Sequence, residues 1–247
     1  MVNGEIYNYK DLIGKFDMST QSDCEVVLHL FTQIVGQKWV SYDHIFELVN
    51  MLDGEFAFII YDWRDNRIYY GVDQIRARPL FISIDSGSVY IASEQKALID
   101  FGGTISIVPA ATVGISDDTN TQRLYFDMNN IQPDLTDVPN IITDLEKLVV
   151  DSVEKKTIAD RECGYLLSGG LDSSLICAIG ARKHGTIKTF TAGFDINAPD
   201  ILAARKVAKF IGSDHTEIIF SYEDGINTIR DAIYNNESWD QTTTRAT

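Results

Sequence analysis

No stretch of this sequence approaches the roughly 20 consecutive apolar residues needed to span a bilayer. Its hydrophobic segments are short and broken by charge, as in Leu52-Asp53-Gly54-Glu55-Phe56-Ala57-Phe58-Ile59-Ile60-Tyr61-Asp62, so no membrane partner is expected. Basic side chains are scarce: 21 Lys and Arg stand against 36 Asp and Glu, a formal charge of −15. Such a surface repels phosphate backbones and anionic membranes at long range, which argues against nucleic acid as a ligand. A single nucleotide stays compatible if backbone amides and a divalent cation supply positive field locally. Cysteine is sparse too. Cys24, Cys163 and Cys177 are odd in number and widely spaced, which fits neither a disulfide framework nor a paired C-x-x-C zinc site. Met1-Val2-Asn3-Gly4-Glu5-Ile6-Tyr7 lacks the basic start and apolar stretch of a secretion signal, so a reducing, cytoplasmic location is expected. The four histidines, His29, His44, His184 and His215, form no i, i+4 pair and suggest neither zinc nor a triad. The tryptophans and tyrosines are scattered and form no aromatic and basic stripe for single-stranded nucleic acid.

What is present is enough for two cores, since 247 residues with 45% hydrophobic side chains exceed the needs of one small domain. In residues 5–125, Ser22-Asp23-Cys24-Glu25 reads as a capping box, followed by Val26, Val27, Leu30 and Ile34 at helical spacing up to Gly36. Strands are expected at Phe56 to Trp63, Arg67 to Val72, Leu80 to Ile84 and Val89 to Ala92, and their short intervals favour antiparallel pairing. The polar stretch Asp127-Met128-Asn129-Asn130-Ile131-Gln132-Pro133-Asp134 reads as a linker, giving expected domains of 1–133 and 134–247. Beyond it a helix over Ile142 to Val153 precedes an alternation: strand Gly164 to Leu167, helix Ser173 to Lys183, strand Thr186 to Ala192, helix Ile201 to Ile211, strand Thr216 to Phe220. A last helix is expected over Glu223 to Tyr234. This alternation is the pattern of a parallel, doubly wound α/β sheet.

In such sheets ligands gather where a strand's carboxyl end turns into the next helix, and the first such turn here is Leu167-Ser168-Gly169-Gly170-Leu171-Asp172-Ser173-Ser174. Two adjacent glycines let main chain approach phosphates closely, and the helix start presents free amides. Ser168, Ser173 and Ser174 add hydroxyls. Asp172 repels an anion directly, so its useful role is to hold Mg²⁺ against the phosphates. The loop lacks the spacing and lysine of G-x-x-x-x-G-K-[ST], which argues against P-loop transfer of the terminal phosphate. A tight turn with ordinary helix caps is the competing structural reading. Seven specified positions in a strand-turn-helix context are far more demanding than a lone glycine pair.

S-G-G-x-D-S-S resembles the fingerprint of the ATP-pyrophosphatase group, in which a carboxylate substrate attacks the α phosphorus of ATP. Further motifs narrow the resemblance. Asn3-Gly4-Glu5-Ile6-Tyr7-Asn8-Tyr9, Ser22-Asp23-Cys24-Glu25, Leu52 to Phe58 and Ala92-Ser93-Glu94-Gln95-Lys96-Ala97-Leu98 resemble the glutaminase domain of glutamine-dependent asparagine synthetases. Ser168 to Ser174 and Glu237-Ser238-Trp239-Asp240-Gln241-Thr242-Thr243-Thr244-Arg245-Ala246 resemble that family's synthetase domain. The resemblance implies an α+β, Ntn-hydrolase-like amidotransferase domain with antiparallel sheets, followed by a doubly wound ATP-pyrophosphatase domain. It implies ATP and Mg²⁺, with aspartate and glutamine or ammonia as substrates. Asn3 and Gly4 match oxyanion-hole positions, and Glu5 and Asp23 match residues holding the glutamine amino group. Leu166, Ala192 and Gly193 match positions flanking the adenosine. Two carboxylates suit an ammonium, and amide donors suit an oxyanion.

The departures are specific. The family's nucleophile is an N-terminal cysteine, whereas this chain begins Met1-Val2 at the oxyanion segment. The upstream arginine for the glutamine carboxylate is also absent, so no glutaminase activity is expected of this polypeptide alone. Cys24, inside a helix beside two acids, reads as a structural cysteine rather than a substitute. Gln74-Ile75-Arg76-Ala77-Arg78-Pro79-Leu80 replaces a glycine-containing turn. The family's second glycine-rich segment, S-G-E-G-S-D-E, does not appear before Thr247. A complementing chain or a homodimer is therefore among the expected partners. An inactive or regulatory nucleotide-binding remnant, and a related amidotransferase with another acid substrate, stand beside the ligase reading.

Overall fold

The computed structural model describes all residues except 15, 37, 117–120, 133–137 and 241–247. The chain forms two compact units, Met1–Pro133 and Asp134–Thr247.

The first unit opens with strand β1 (Val2–Ile6) and helices α1 (Tyr9–Ile13), α2 (Glu25–Val35) and α3 (Tyr42–Met51). Strands β2 (Gly54–Asp62), β3 (Arg67–Val72), β4 (Phe81–Asp85), β5 (Ser88–Ala92), β6 (Ser106–Ile107), β7 (Thr112–Ile115) and β8 (Gln122–Leu124) follow. They build a five-stranded sheet in the order β1-β2-β3-β7-β8 and a three-stranded sheet β5-β4-β6. Every pairing in both is antiparallel. Period-two alternation explains the layering. Phe56, Phe58 and Ile60 of β2 meet Val26, Leu30 and Phe31 of α2 and Ile45 and Leu48 of α3 in one core. Ala57 of β2, with Tyr70 and Val72 of β3, joins Leu80, Ile82 and Val108 in a second. Burying a side chain such as Phe58 or Leu30 contributes roughly 1.5–3 kcal/mol.

Helix α2 forms where Val26, Val27, Leu30 and Ile34 place it, and Gly36 ends it at φ 56°. The expected capping box does not form. The turn before the helix is already wound, with the Glu25 amide on the Ser22 carbonyl at 3.2 Å, so Ser22 does not sit at the cap. The Glu25 carboxylate reaches back instead to the amides of Ser19 and Thr20, at 2.6 and 2.7 Å. Helix α3 went unread because its start carries histidine where the motif has an acid: the Ser41 amide donates to His44 Nδ1 at 3.1 Å. Buried Asp73 organises the turn at Gln74 to Leu80, accepting amides of Phe56 at 3.1 Å, Ile75 at 3.0 Å and Ala77 at 3.0 Å. Arg76 takes the position a glycine would suit, at φ 54°.

The second unit contains α4 (Val138–Lys155), β9 (Gly164–Leu166), α5 (Leu171–His184), β10 (Lys188–Gly193), α6 (Pro199–Ile211), β11 (Asp214–Ile219) and α7 (Tyr222–Asn236). The three strands pair in parallel in sequence order. Helices α5 and α6 touch each other, and Leu167, Cys177, Ile187, Ala204 and Ala208 form the core beneath them. Strands in sequence order with adjoining crossover helices make one winding direction of a doubly wound sheet. The expected elements of this unit all form, with ends displaced by a few residues.

Candidate functional site

The loop after β9 lies at the carboxyl edge of the parallel sheet. Gly170 caps α5 with an extended φ, ψ of −71°, 168° and no side-chain cap, and the first helical turn bond runs from the Ser174 amide to the Gly170 carbonyl at 3.1 Å. The amides of Leu171, Asp172 and Ser173 therefore have no acceptor among the described residues, and they emerge at the positive end of the helix dipole. Ser168 and Ser173 brace the loop, with their Oγ atoms 3.0 Å apart and the Ser168 amide 3.3 Å from Ser173 Oγ. The Ser174 hydroxyl is buried without a partner among the described residues. Asp172 is exposed, and its carboxylate accepts no hydrogen bond from the described residues.

The two glycines are present for different reasons. A Cβ on Gly169, whose φ is 79°, would lie 2.5 Å from the backbone of Ala203 and Ala204 in α6. Its bareness serves helix packing, which the sequence reading attributed to phosphate approach. A Cβ on Gly170 would meet nothing nearer than Ser168 Oγ at 3.5 Å, so the open side of the turn is at Gly170. On the neighbouring strand, Phe190 pairs with Leu166, which brings Ala192 and Gly193 to the same edge as the loop. Gly193 also faces Ile201, at 3.2 Å from a hypothetical Cβ. Leu166 projects from the sheet, 82% exposed.

In the first unit, β1 is an edge strand whose ladder bonds alternate. Met1 and Ile59 exchange bonds, and the Tyr7 amide donates to Asp53 at 2.7 Å. The amides of Gly4 and Ile6 must then point away from β2. Ile6 donates to Asp23 Oδ2 at 2.6 Å, while Gly4 has no acceptor among the described residues. No side chain fits at Gly4, because a Cβ would stand 1.9 Å from the Glu55 carbonyl oxygen. Asn3 Nδ2 donates to Ser93 Oγ at 3.1 Å. Ser93, within a motif quoted for the resemblance, was given no role from sequence. Glu5 lies opposite Glu55 in the register, and Glu5 and Asp23 both act on Cys24. Burial first, then Asp23, pushes that thiol up to about 11, and its Sγ donates to the Gly4 carbonyl at 3.4 Å. Asn3, Gly4, Glu5 and Asp23 thus gather at one strand edge, with Cys24 as a packed thiol.

Among the described residues no three His, Cys, Asp or Glu side chains gather as a metal cluster. Asp172 alone, beside three free amides, fits an ion such as Mg²⁺ that keeps most of its ligands as water and phosphate oxygen. No helix among the described residues is long and apolar enough to cross a membrane. Gln241 to Ala246 of the terminal motif lie outside the described residues.

Residues 1–100 match the glutamine amidotransferase domain family, and residues 144–247 match the asparagine synthase family. Asparagine synthetase B [glutamine-hydrolyzing] of Escherichia coli (strain K12) is 35% identical over 269 residues, covering 99% of this chain and 46% of that protein. The asparagine synthetase [glutamine-hydrolyzing] of Gallus gallus is 34% identical over 278 residues, 99% of this chain and 48% of that protein. A probable asparagine synthetase [glutamine-hydrolyzing] of Acanthamoeba polyphaga mimivirus is 37% identical, again over 99% of this chain and 48% of that protein. The chain spans about half the length of these curated relatives. Among solved structures, a glutamine phosphoribosylpyrophosphate amidotransferase from B. subtilis aligns over 99% of this chain and 74% of that one, at 16% identity and a TM-score of 0.47. That overlay is too loose to bear on either unit. The amidotransferase match is thus followed by the asparagine synthase match, and along nearly its whole length the chain is similar to glutamine-hydrolysing asparagine synthetases.

Proposed function

We propose that this chain carries the nucleotide-gripping and glutamine-gripping parts of an asparagine synthetase reaction. In that reaction an aspartate side-chain carboxylate oxygen bonds to the α phosphorus of ATP and pyrophosphate leaves. Ammonia, taken from glutamine or from solution, then bonds to the activated carbon, loses a proton, and AMP leaves. The observation that carries the reading is the triplet of free amides at Leu171, Asp172 and Ser173, set at a sheet's carboxyl edge with Gly170 open beside it.

The amides and the Ser168, Ser173 and Ser174 hydroxyls bind phosphate oxygens, and Leu166, Ala192 and Gly193 line the path for the nucleoside. The Asp172 carboxylate holds Mg²⁺, which when bound neutralises phosphate charge and improves pyrophosphate as a leaving group. At β1, the outward Gly4 amide and the Asn3 side-chain amide suit a tetrahedral oxyanion, and Glu5 with Asp23 suits the glutamine ammonium. Unpaired thiols at Cys24, Cys163 and Cys177 suit the cytoplasm. The sheet face bearing Leu166 and Ile218, 82% and 51% exposed, suits a complementing chain or a second copy.

Isothermal titration with ATP and Mg²⁺ tests the grip. Binding is expected to require Mg²⁺ and to weaken about tenfold or more in Asp172→Ala, as loss of a metal ligand implies. Equal affinity in both proteins would remove the metal role, and no heat in either would remove the nucleotide reading. Pyrophosphate and asparagine formation from ATP, aspartate, Mg²⁺ and ammonium separates turnover from binding alone.

A further inference from the structure

Asn3 stands directly opposite Ala57 in the register of β1 and β2, so the two side chains leave the sheet on the same face. On that face Ala57 enters the core between the two sheets of the first unit, and Val89 and Ile91 of β5 pack against it. Alternation along β5 carries on from Val89 and Ile91 to Ser93, just past the strand's end at Ala92. The edge of one sheet and the end of the other thus bring together residues 90 positions apart, and Asn3 Nδ2 donates to Ser93 Oγ at 3.1 Å.

The Asn3 side chain is exposed, and this bond is the one that holds it among the described residues. A side-chain amide carries two N–H donors. Ser93 Oγ takes one and leaves the other without an acceptor among the described residues. Gly4, next along β1, keeps its outward amide uncovered, because no side chain fits there. Two free N–H groups on consecutive residues are what a carbonyl oxygen gaining negative charge requires. The sheet fixes the Gly4 donor. The Asn3 donor turns with the side-chain torsions unless a partner holds it, and a half-turn of the amide would present its oxygen instead.

We infer that Ser93 is a positioning residue for the glutamine site: its hydroxyl holds the Asn3 amide so that the second N–H joins the Gly4 N–H on the ligand's side-chain carbonyl oxygen. Ser93 acts through Asn3 rather than on the ligand. The inference rests on the glutamine reading of Asn3 and Gly4 and adds to it a residue from the other sheet.

The whole chain, isotopically labelled for nuclear magnetic resonance, is titrated with L-glutamine and followed at the Gly4 backbone amide and the Asn3 side-chain amide. Both signals are expected to shift along one saturation curve. Ser93→Ala should raise the Kd about two- to tenfold, the worth of one hydrogen bond, and abolish the Asn3 shift while the Gly4 shift persists. Ser93→Thr, which keeps the hydroxyl, should restore both. L-Norvaline, with the same amino and carboxyl groups but no side-chain carbonyl, should give the same response in all three proteins. An unchanged Kd and Asn3 shift in Ser93→Ala would overturn the proposal and leave the glutamine reading standing. An equal effect of Ser93→Ala on norvaline, or no recovery in Ser93→Thr, would also overturn it, marking Ser93 as a structural support only. No response at Gly4 or Asn3 in the parent protein would remove the glutamine reading itself, and the proposal with it.

Discussion

Gly169 faces Ala203 so closely that a methyl group on the glycine would approach the alanine's backbone to 2.5 Å. The loop after β9 is thereby pinned to α6, while Gly170, next in the chain, borders open space. Gly169→Ala combines a positive φ with a clash against main chain, and is expected to destabilise the second unit by about 2–4 kcal/mol. Gly170→Ala keeps an allowed backbone and should cost about 1 kcal/mol or less as a poorer cap, while weakening ATP binding. Urea unfolding and titration on both variants check the split. Equal loss of stability would sink it.

Arg76 sits at φ 54° in the turn organised by Asp73. A left-handed backbone costs a non-glycine residue roughly 1–2 kcal/mol. Arg76→Gly is therefore expected to raise stability by about 1 kcal/mol, part of the relief being offset by the freer unfolded chain. A lowered urea midpoint would show that the arginine side chain contributes more than its backbone strains.

The Thr20 hydroxyl and the Ser19 amide hold the Glu25 carboxyl down at about 2, against roughly 4.3 in an unfolded chain. A depressed folded value means stabilisation present above the unfolded value and lost as pH falls toward the folded one. Unfolding measured between about pH 4.5 and 2 should show a loss in the parent that is smaller in Glu25→Gln. Parallel curves for the two proteins would refute the assignment.

Cys24 should resist alkylation at pH 8. With its thiol pushed up to about 11 by burial and by Asp23, the thiolate fraction there is on the order of one in a thousand. Asp23→Asn removes the charge but leaves the burial, so the reaction should quicken only modestly. Modification of Cys24 at a rate matching an unfolded control would contradict this environment.

Much of this architecture was legible because it rests on simple periodicities. Alternation through Phe56, Phe58 and Ile60, and the spacing of Val26, Val27 and Leu30, declare their elements without long-range information. Helices α4 and α6 announce themselves in the same way, whereas α5 has almost no apolar face and is marked only by its place between the glycine loop and Gly185. Helix α3 did not, because Tyr42 to Met51 contains Asp43, His44 and Asn50 and is capped by an unusual Ser41–His44 pair. Strand β1 was read for its residue types, and its place at the sheet edge emerges only through pairing with β2. That pairing turns the Gly4 amide outward, which no local pattern states. The capping box at Ser22 was misread because the motif does not reveal that the preceding turn is already wound. Gly169 and Gly170 look alike in sequence, and only α6, more than thirty residues later, distinguishes them.

Asp23 ends one element's approach and receives the last amide of another, through a 2.6 Å bond from Ile6. Helix α2 and the sheet margin are consequently latched by one carboxylate, so local opening of either exposes the same proton to solvent. Deuterium uptake at the Ile6 amide therefore gives a single-site gauge of how often the two come apart together.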